Sequence, residues 1–350
     1  MQLIYLADST LPSQGADAVH VMNMCKAFSG NGLEVKLIAR KGNNEKNIFE
    51  YYGVKKNLFK IYLVERPNIR ILGGFIYGWR VNRIFKDLDK PDFIYARSIH
   101  ALRRINPKKI PFFFESHWKP INKLYHSWEQ KLLTRSNLVA FIFISKGLED
   151  IYKKLFPRFF KKFNILHDAC NIPNVKINNK TNNRLQVGYI GSFFKGNGYG
   201  LIPEMALKMP EIDFHIVGGK EPILSQLKRG NKLINLKFYG HIPHKDLIKI
   251  YNRMDVMLAP YQNDLPHIKW VSPMKIFEYM SYKKAIIASD FPVIREVLNE
   301  ENSILVEPDN IDAWIDSIEK LKSAAKANPR DYAPHFRLGQ AYHIMGIYDK

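Results

Sequence analysis

LQVGYIGSFFKGNGYG, residues 185–200, decides the fold. A short apolar run ends abruptly in a loop with five glycines in the thirteen residues 188–200, and Lys195 lies among them. A buried strand that breaks into a glycine-rich turn reads as the start of a strand–loop–helix unit. The rhythm continues downstream through IDFHIVGG, LKFYGHI, DVMLAP, AIIASD and SILVEP. Upstream it runs through LIYLA, EVKLIA, FIYAR, PFFFES and LVAFIFIS. Short apolar strands alternating with helical patterns predict α/β domains on parallel sheets. The polar segment NNKTNNR separates the two series. The expected organisation is one domain over residues 1–168, a second over 169–322, a cleft between them, and a helical tail over 323–350. Ligands of open parallel sheets bind beyond the carboxyl ends of the strands. Functional residues are therefore sought in the loops that follow strands.

The chain has 350 residues, enough for two medium-sized cores, and a formal charge of +20. Such an excess attracts anions: nucleic acid, anionic lipid or phosphorylated substrates. No nucleic-acid-binding motif accompanies the charge, so the expected partners are the latter two. Two cysteines, Cys25 and Cys170, make neither a disulfide framework nor a cysteine-based zinc site. A cytoplasmic setting is the expectation, since the start MQLIYLADST lacks the features of a signal peptide. No apolar run reaches the roughly 18 residues of a spanning helix. Basic and aromatic residues interleave in IYKKLFPRFFKKF, residues 151–163, and RRINPKK, residues 103–109, adds further charge. Segments of the first kind lie on anionic membrane surfaces, with a solvated basic face as the plainer reading.

Three loops after strands stand out. In LPSQGADAVH, residues 11–20, Gly15 lets the backbone approach a ligand at the start of a helix, where free N–H groups favour an anion. An ordinary strand-to-helix turn accounts for it equally well. In GYIGSFFKGNGYG, residues 188–200, the glycines and Lys195 suit a diphosphate, or else make a flexible connector. In SPMKIFEYMSYKKAIIASD, residues 272–290, Ser272 reads as an N-cap and Pro273 as the first helical residue. Helical spacing sets Ile276, Phe277 and Met280 on one apolar face and Glu278 away from it. Lys275 and Glu278 are then either a surface pair worth a few tenths of a kcal/mol or two parts of a ligand site. ESHW places Glu115 and His117 after a strand, His117 being a catalytic candidate. DLDK, residues 87–90, spells a metal–diphosphate pattern but falls at the polar end of a helix and reads as surface.

Taken together, GYIGSFFKGNG, FYGHIPHKDLIKIYNRMDVMLAPY and SPMKIFEYMSYKKAIIASDFPVIREVL resemble the retaining glycosyltransferases of family 4, which have the GT-B fold. The similarity spans residues 1 to about 322. It implies two Rossmann-like domains and transfer of a sugar from a UDP- or GDP-linked donor, with retention and without a metal or other cofactor. The implied acceptor is a glycan or a lipid-linked molecule, met on the inner face of a cytoplasmic membrane. Donor contacts are implied at Gly15, Gly191, Ser192, Lys195, His241, Ile242, Ser272, Lys275 and Glu278. The resemblance makes His117 and Glu278 the catalytic-site residues, with Glu278 on the ribose and His117 near the transferred sugar. Two positions depart from the family pattern: Trp270 stands where a first glutamate is expected, and Ser192 where arginine is frequent. Nucleotide-sugar 2-epimerases share the architecture and remain an alternative. The tail, with Leu338, Gly339, Tyr342, Gly346 and Tyr348 in tetratricopeptide spacing, is similar to one partial repeat. It suggests a protein partner, and hence a non-catalytic basic scaffold as the further alternative.

Overall fold

The computed structural model describes residues 1–43, 47–69, 72–173 and 184–327, in two compact units that divide between Asp168 and Ala169. The first unit runs β1 (Gln2–Leu11), α1 (Ala16–Gly30), β2 (Glu34–Lys41), α2 (Ile48–Tyr51), β3 (Lys60–Val64), α3 (Leu72–Lys86), β4 (Phe93–Ala96), α4 (Ile99–Ile105), β5 (Phe112–Ser116), α5 (Lys123–Leu133), β6 (Leu138–Phe143), α6 (Lys146–Leu155) and β7 (Phe163–Ile165). Its sheet has the order β3-β2-β1-β4-β5-β6-β7, with every pairing parallel. Leu3 to Ala7 in β1 are all fully buried, odd and even positions alike. Both sheet faces are therefore covered, and the strand reads as a continuous apolar run rather than an alternation. Polar residues set the helix starts: Ser98, Asn122 and Ser145 accept N–H bonds at the openings of α4, α5 and α6.

The second unit runs β8 (Gln186–Ile190), α7 (Ile202–Lys208), β9 (Asp213–Val217), α8 (Ile223–Gly230), β10 (Leu236–Gly240), α9 (Ile248–Tyr251), β11 (Val256–Ala259), α10 (Met274–Ser281), β12 (Ala285–Ser289), β13 (Ile304–Val306) and α11 (Ile311–Ala327). Its parallel sheet has the order β10-β9-β8-β11-β12-β13. One apolar layer gathers Met205, Leu224 and Trp314 from α7, α8 and α11. The other gathers Ile250, Tyr251, Ile276 and Phe277 from α9 and α10. This is the expected fold class, two Rossmann-like parallel-sheet domains. In each sheet the strand order reverses once, between β1 and β4 and between β8 and β11. That reversal opens a crevice at the carboxyl ends, where such sheets bind ligands.

Some expectations change. The segment 151–163 is anchored in the fold, with Leu155 and Phe160 left exposed beside its lysines. Tyr152, Phe156 and Phe163 are buried, with Tyr152 and Phe163 against Phe143, and the segment ends by forming β7. Aromatic rings beside a sheet edge gain more from burial than from solvent, and the lysines between them stay outside. Residues 323–327 continue α11 rather than opening a separate tail, while the repeat-like spacing at 328–350 lies outside the described residues. Asp87 to Lys90 are at the surface as expected, with Asp89 paired to Lys36 at 3.1 Å.

Candidate functional site

The second unit builds its site at the reversal between β8 and β11. Strand β8 ends at Ile190, and Gly191 donates its N–H to Val217 at 3.0 Å. A Cβ on Gly191 would stand 3.2 Å from the Lys275 amine and 2.7 Å from the Tyr189 hydroxyl. The following loop is tied down at several points. The N–H of Gln262 reaches the Gly196 oxygen at 2.8 Å, and Gly196 and Gly198 hold φ of +81° and +72°. A Cβ on Gly198 would fall 1.6 Å from the Pro260 oxygen. Asn197 binds the Ser192 hydroxyl at 2.9 Å. The glycines thus let two loops pack on each other, and the flexible-connector reading does not hold.

Helix α10 begins at Met274 with Pro273 in the cap position and no side-chain cap, so Ser272 is not the N-cap; it is buried just before the helix. Tyr279 fixes the helix to the sheet. Its hydroxyl accepts the Ile190 N–H at 3.2 Å and faces the Ile190 and Leu258 oxygens at 3.2 and 3.3 Å. Lys275, one turn earlier, projects between the rings of Tyr189 and Tyr261, 4.5 Å from each centroid. Its amine is buried and has no hydrogen-bond partner among the described residues. Burial pulls its pKa down to about 7, against the opposing pull of Glu278.

Glu278 forms no surface ion pair with Lys275. Its side chain is 12% exposed. One carboxylate oxygen accepts from His244 Nε2 and the other from the Tyr251 hydroxyl, each at 2.8 Å. Tyr251 stacks on Tyr282 with centroids 4.0 Å apart. The hydrogen bond to Glu278 raises the His244 pKa. Glu278 is thereby held rigid, with lone pairs to spare for further donors. Ile242 packs on the apolar layer beside α9 and α10, and burial lowers the His241 pKa. Lys195 stands apart from this arrangement, 82% exposed and 3.5 Å from Asp264. Trp270, where a glutamate was expected, is buried.

The first unit gathers a second group of residues. Glu115, at the end of β5, is buried. It accepts from the Tyr95 hydroxyl and contacts His117 Nε2. Arg97, just after β4, faces it at 3.5 Å. His20 of α1 lies between two carboxylates, with Nε2 3.3 Å from Glu115 and Nδ1 3.0 Å from Asp168. Burial alone would lower the His20 pKa, but Glu115 and Asp168 outweigh it and raise it to about 9. Burial opposes the charges of Glu115 and Asp168 too. Arg97 and the histidines hold Glu115 well below its usual range, and His20 does the same for Asp168. Burial and Arg97 push His117 the other way, below its ordinary value. Donor atoms of His20, His117 and Asp168 lie within 4.8 Å of one another, a spacing that a cation can span. The Arg97 and His20 charges already balance the two carboxylates, which disfavours a further dication there.

Gly15 caps α1 through its carbonyl, with the Asp17 carboxylate 2.3 Å from where a Cβ would stand. An acid therefore already occupies the helix start that was expected to face phosphate. His20, Arg97, Asp168, His244 and Tyr251 were not singled out from the sequence. Arg97 and Asp168 each follow a strand, the same signal that marks His117. His20 had a fainter mark, a polar residue on the face of α1 that buries Val21 and Cys25.

Residues 184–323 match the family model described as Glycosyl transferases group 1. No curated protein matches the sequence. Among solved structures, sucrose-phosphate synthase from Thermosynechococcus elongatus superposes with a TM-score of 0.70 at 15% identity, covering 99% of this chain and 94% of that one. A glycosyltransferase from Rickettsia africae gives 0.72 at 13% identity, covering 99% and 94%. HepE of Anabaena, solved in complex with UDP-glucose, gives 0.68 at 14% identity, covering 100% and 97%. The chain thus has the two-domain fold of GT-B glycosyltransferases, and its second unit matches the glycosyl transferases group 1 model.

Proposed function

We propose that the protein is a glycosyltransferase of the retaining family 4 type, which moves a sugar from a nucleotide-sugar donor to a glycan or lipid-linked acceptor. The observation that carries this reading is the Lys275 amine, buried without a hydrogen-bond partner among the described residues, beside the Gly191 backbone at the reversal of the second sheet. An uncompensated buried amine is costly unless the state that matters brings an anion to it. The diphosphate of a nucleotide sugar is such an anion. In this reading Gly191, Ser192, Lys275 and the start of α10 after Ser272 receive the diphosphate, with Lys195 at the outer edge of the loop. Glu278 takes the ribose hydroxyls, and His241 and Ile242 lie against the base.

The glycosyl C1–O bond breaks with its electron pair going to the diphosphate. The acceptor oxygen bonds to C1 from the same face, and its proton passes to the departing phosphate oxygen. Positive charge fixed at the leaving oxygens stabilises this transition state without a metal. His117, from the first unit, is assigned to the transferred sugar. HepE, with its UDP-glucose complex, supports a nucleotide sugar as the donor class.

We also place the acceptor side of the enzyme on an anionic membrane. Leu72, Phe75 and Trp79 form an exposed stripe along α3 that continues into Arg83 and Lys86. The stripe joins the exposed Leu155 and Phe160 of segment 151–163 as the apolar contact.

Titration calorimetry with UDP and with GDP tests the donor site. Binding of one of them is expected, and Glu278→Ala should weaken it about 10- to 100-fold, the range for a hydrogen bond to a charged group. A 2′,3′-dideoxy analogue should bind both forms alike. Failure of the folded protein to bind any nucleotide would sink the proposal. Conversion of the donor sugar without an acceptor would favour the epimerase instead.

A further inference from the structure

We propose that His20 is a positioning residue for His117: a buried imidazolium clamped between Asp168 and Glu115, which fixes the Glu115 carboxylate so that it holds His117 in one tautomer, while the charges of His20 and Arg97 keep His117 neutral. The proposal deepens the transferase reading, because it takes His117 as the residue beside the sugar.

The geometry carries the argument. Both ring nitrogens of His20 face a carboxylate, at 3.0 Å for Nδ1 and 3.3 Å for Nε2. A neutral ring has one N–H and one lone pair. In either tautomer the lone pair would face a buried carboxylate, which is repulsive. The doubly protonated ring sets positive charge against both acids, and that charge offsets one of them.

Among the described residues, the groups facing the cluster include Arg97 and Tyr95 from β4 and its end, Tyr5 from β1, and His117 itself. Asp168 and Glu115 against Arg97 and His20 give a net charge of zero. With His20 neutral or removed, one uncompensated negative charge would remain in the interior. The nearest group able to neutralise it is His117, whose Nε2 contacts Glu115. His117 would then take up a proton and lose the lone pair on Nδ1. With His20 charged, Glu115 accepts from the Nε2–H of His117, and Nδ1 stays free to accept a hydrogen bond from a sugar hydroxyl. His20 touches no substrate in this scheme; it acts through Glu115.

Nitrogen-15 NMR of the histidine-labelled full chain, titrated from pH 5 to 9, reads this without reference to activity. The expected wild-type pattern is one histidine protonated on both nitrogens through pH 8, and His117 carrying a proton on Nε2 alone at pH 7. In His20→Gln, the His117 titration should move up by about one pH unit. The acid limb of kcat/KM should move with it, while the donor KM changes less than twofold. Should His20→Gln not fold, Asp168→Asn serves. It removes one of the two acids and should lower the His20 titration by a unit or more. A His20 ring found neutral at pH 7, a His117 titration unmoved in His20→Gln, or a His20 titration unmoved in Asp168→Asn, would overturn the proposal. The NMR pattern without any sugar transfer would instead count against the transferase reading, leaving the buried network in place.

Discussion

Lys275 ties its local environment to chemistry more directly than any other side chain described. Two tyrosine rings and the glycine backbone strip water from its amine, and its pKa falls to about 7. An incoming diphosphate favours the charged form, so binding should draw a proton onto Lys275. At pH 8 the free amine is mostly neutral, and uptake should approach one proton. At pH 6 it is already charged, and uptake should be near zero. Calorimetry of a nucleotide sugar in buffers of different ionisation enthalpy measures the difference. Lys275→Met should remove the uptake and weaken binding at least tenfold. The same change should raise the melting temperature at pH 6, because it deletes a charge that folding buries. A variant less stable at pH 6 would show that the amine is satisfied in a way the structure does not display.

At the scale of elements, glycines decide how closely segments approach. Gly198 sits at φ +72° with Pro260 where a side chain would go, whereas Gly200, two residues on, has nothing within 4 Å of a Cβ. Gly198→Ala should therefore destabilise the second unit by about 2 kcal/mol or more and weaken nucleotide binding. Gly200→Ala should be neutral or gain about 0.5 kcal/mol by restricting the unfolded chain. Denaturant unfolding of the two variants checks the contrast. The strands of both sheets were legible as apolar runs, except β3 and β7. β3 is largely half-exposed at an edge, and β7 is three residues long at the opposite edge of the same sheet. The run IYLV of β3 is apolar but stands alone at that edge, and the three residues FNI of β7 are too short to make a run. The face of α10 was partly legible: Ile276 and Phe277 are buried as the spacing implied, but so is Tyr279, while Met280 is not. The surroundings of Glu278 were not legible. His244 and Tyr251 lie 34 and 27 residues away in sequence, and only the return of α9 beside α10 brings them there. The pair of carboxylates around His20 was hidden for the same reason, since Glu115 lies in β5 and Asp168 in the loop after β7.

For the whole molecule, a charge of +20 and the stripe on α3 predict salt-dependent attachment to lipid. Sedimentation with anionic vesicles should be strong at about 50 mM salt and largely lost at about 500 mM, as the screening length shrinks. Trp79→Ala with Phe75→Ala should weaken it without changing nucleotide affinity; attachment unaffected by either treatment would remove the membrane from the proposal. The two units also respond oppositely to alkali. The stability that His20 gives the first unit is complete below its unfolded value near 6.5 and is lost as pH rises through about 9. The penalty that Lys275 places on the second unit is present below about 7 and fades as pH climbs toward its unfolded value near 10.4. Scanning calorimetry between pH 7 and 10 should show one transition falling and another rising, and Lys275→Met should flatten the second alone. The depressed pKa of Lys275 has a practical consequence as well. An ordinary lysine near pH 7 is almost wholly an ammonium ion and a poor nucleophile, whereas about half of Lys275 is free amine. A nucleoside carrying an aldehyde or an activated ester in place of the diphosphate would leave that amine unprotonated and be captured there as a covalent adduct, and the site of attachment would record which way round the donor lies.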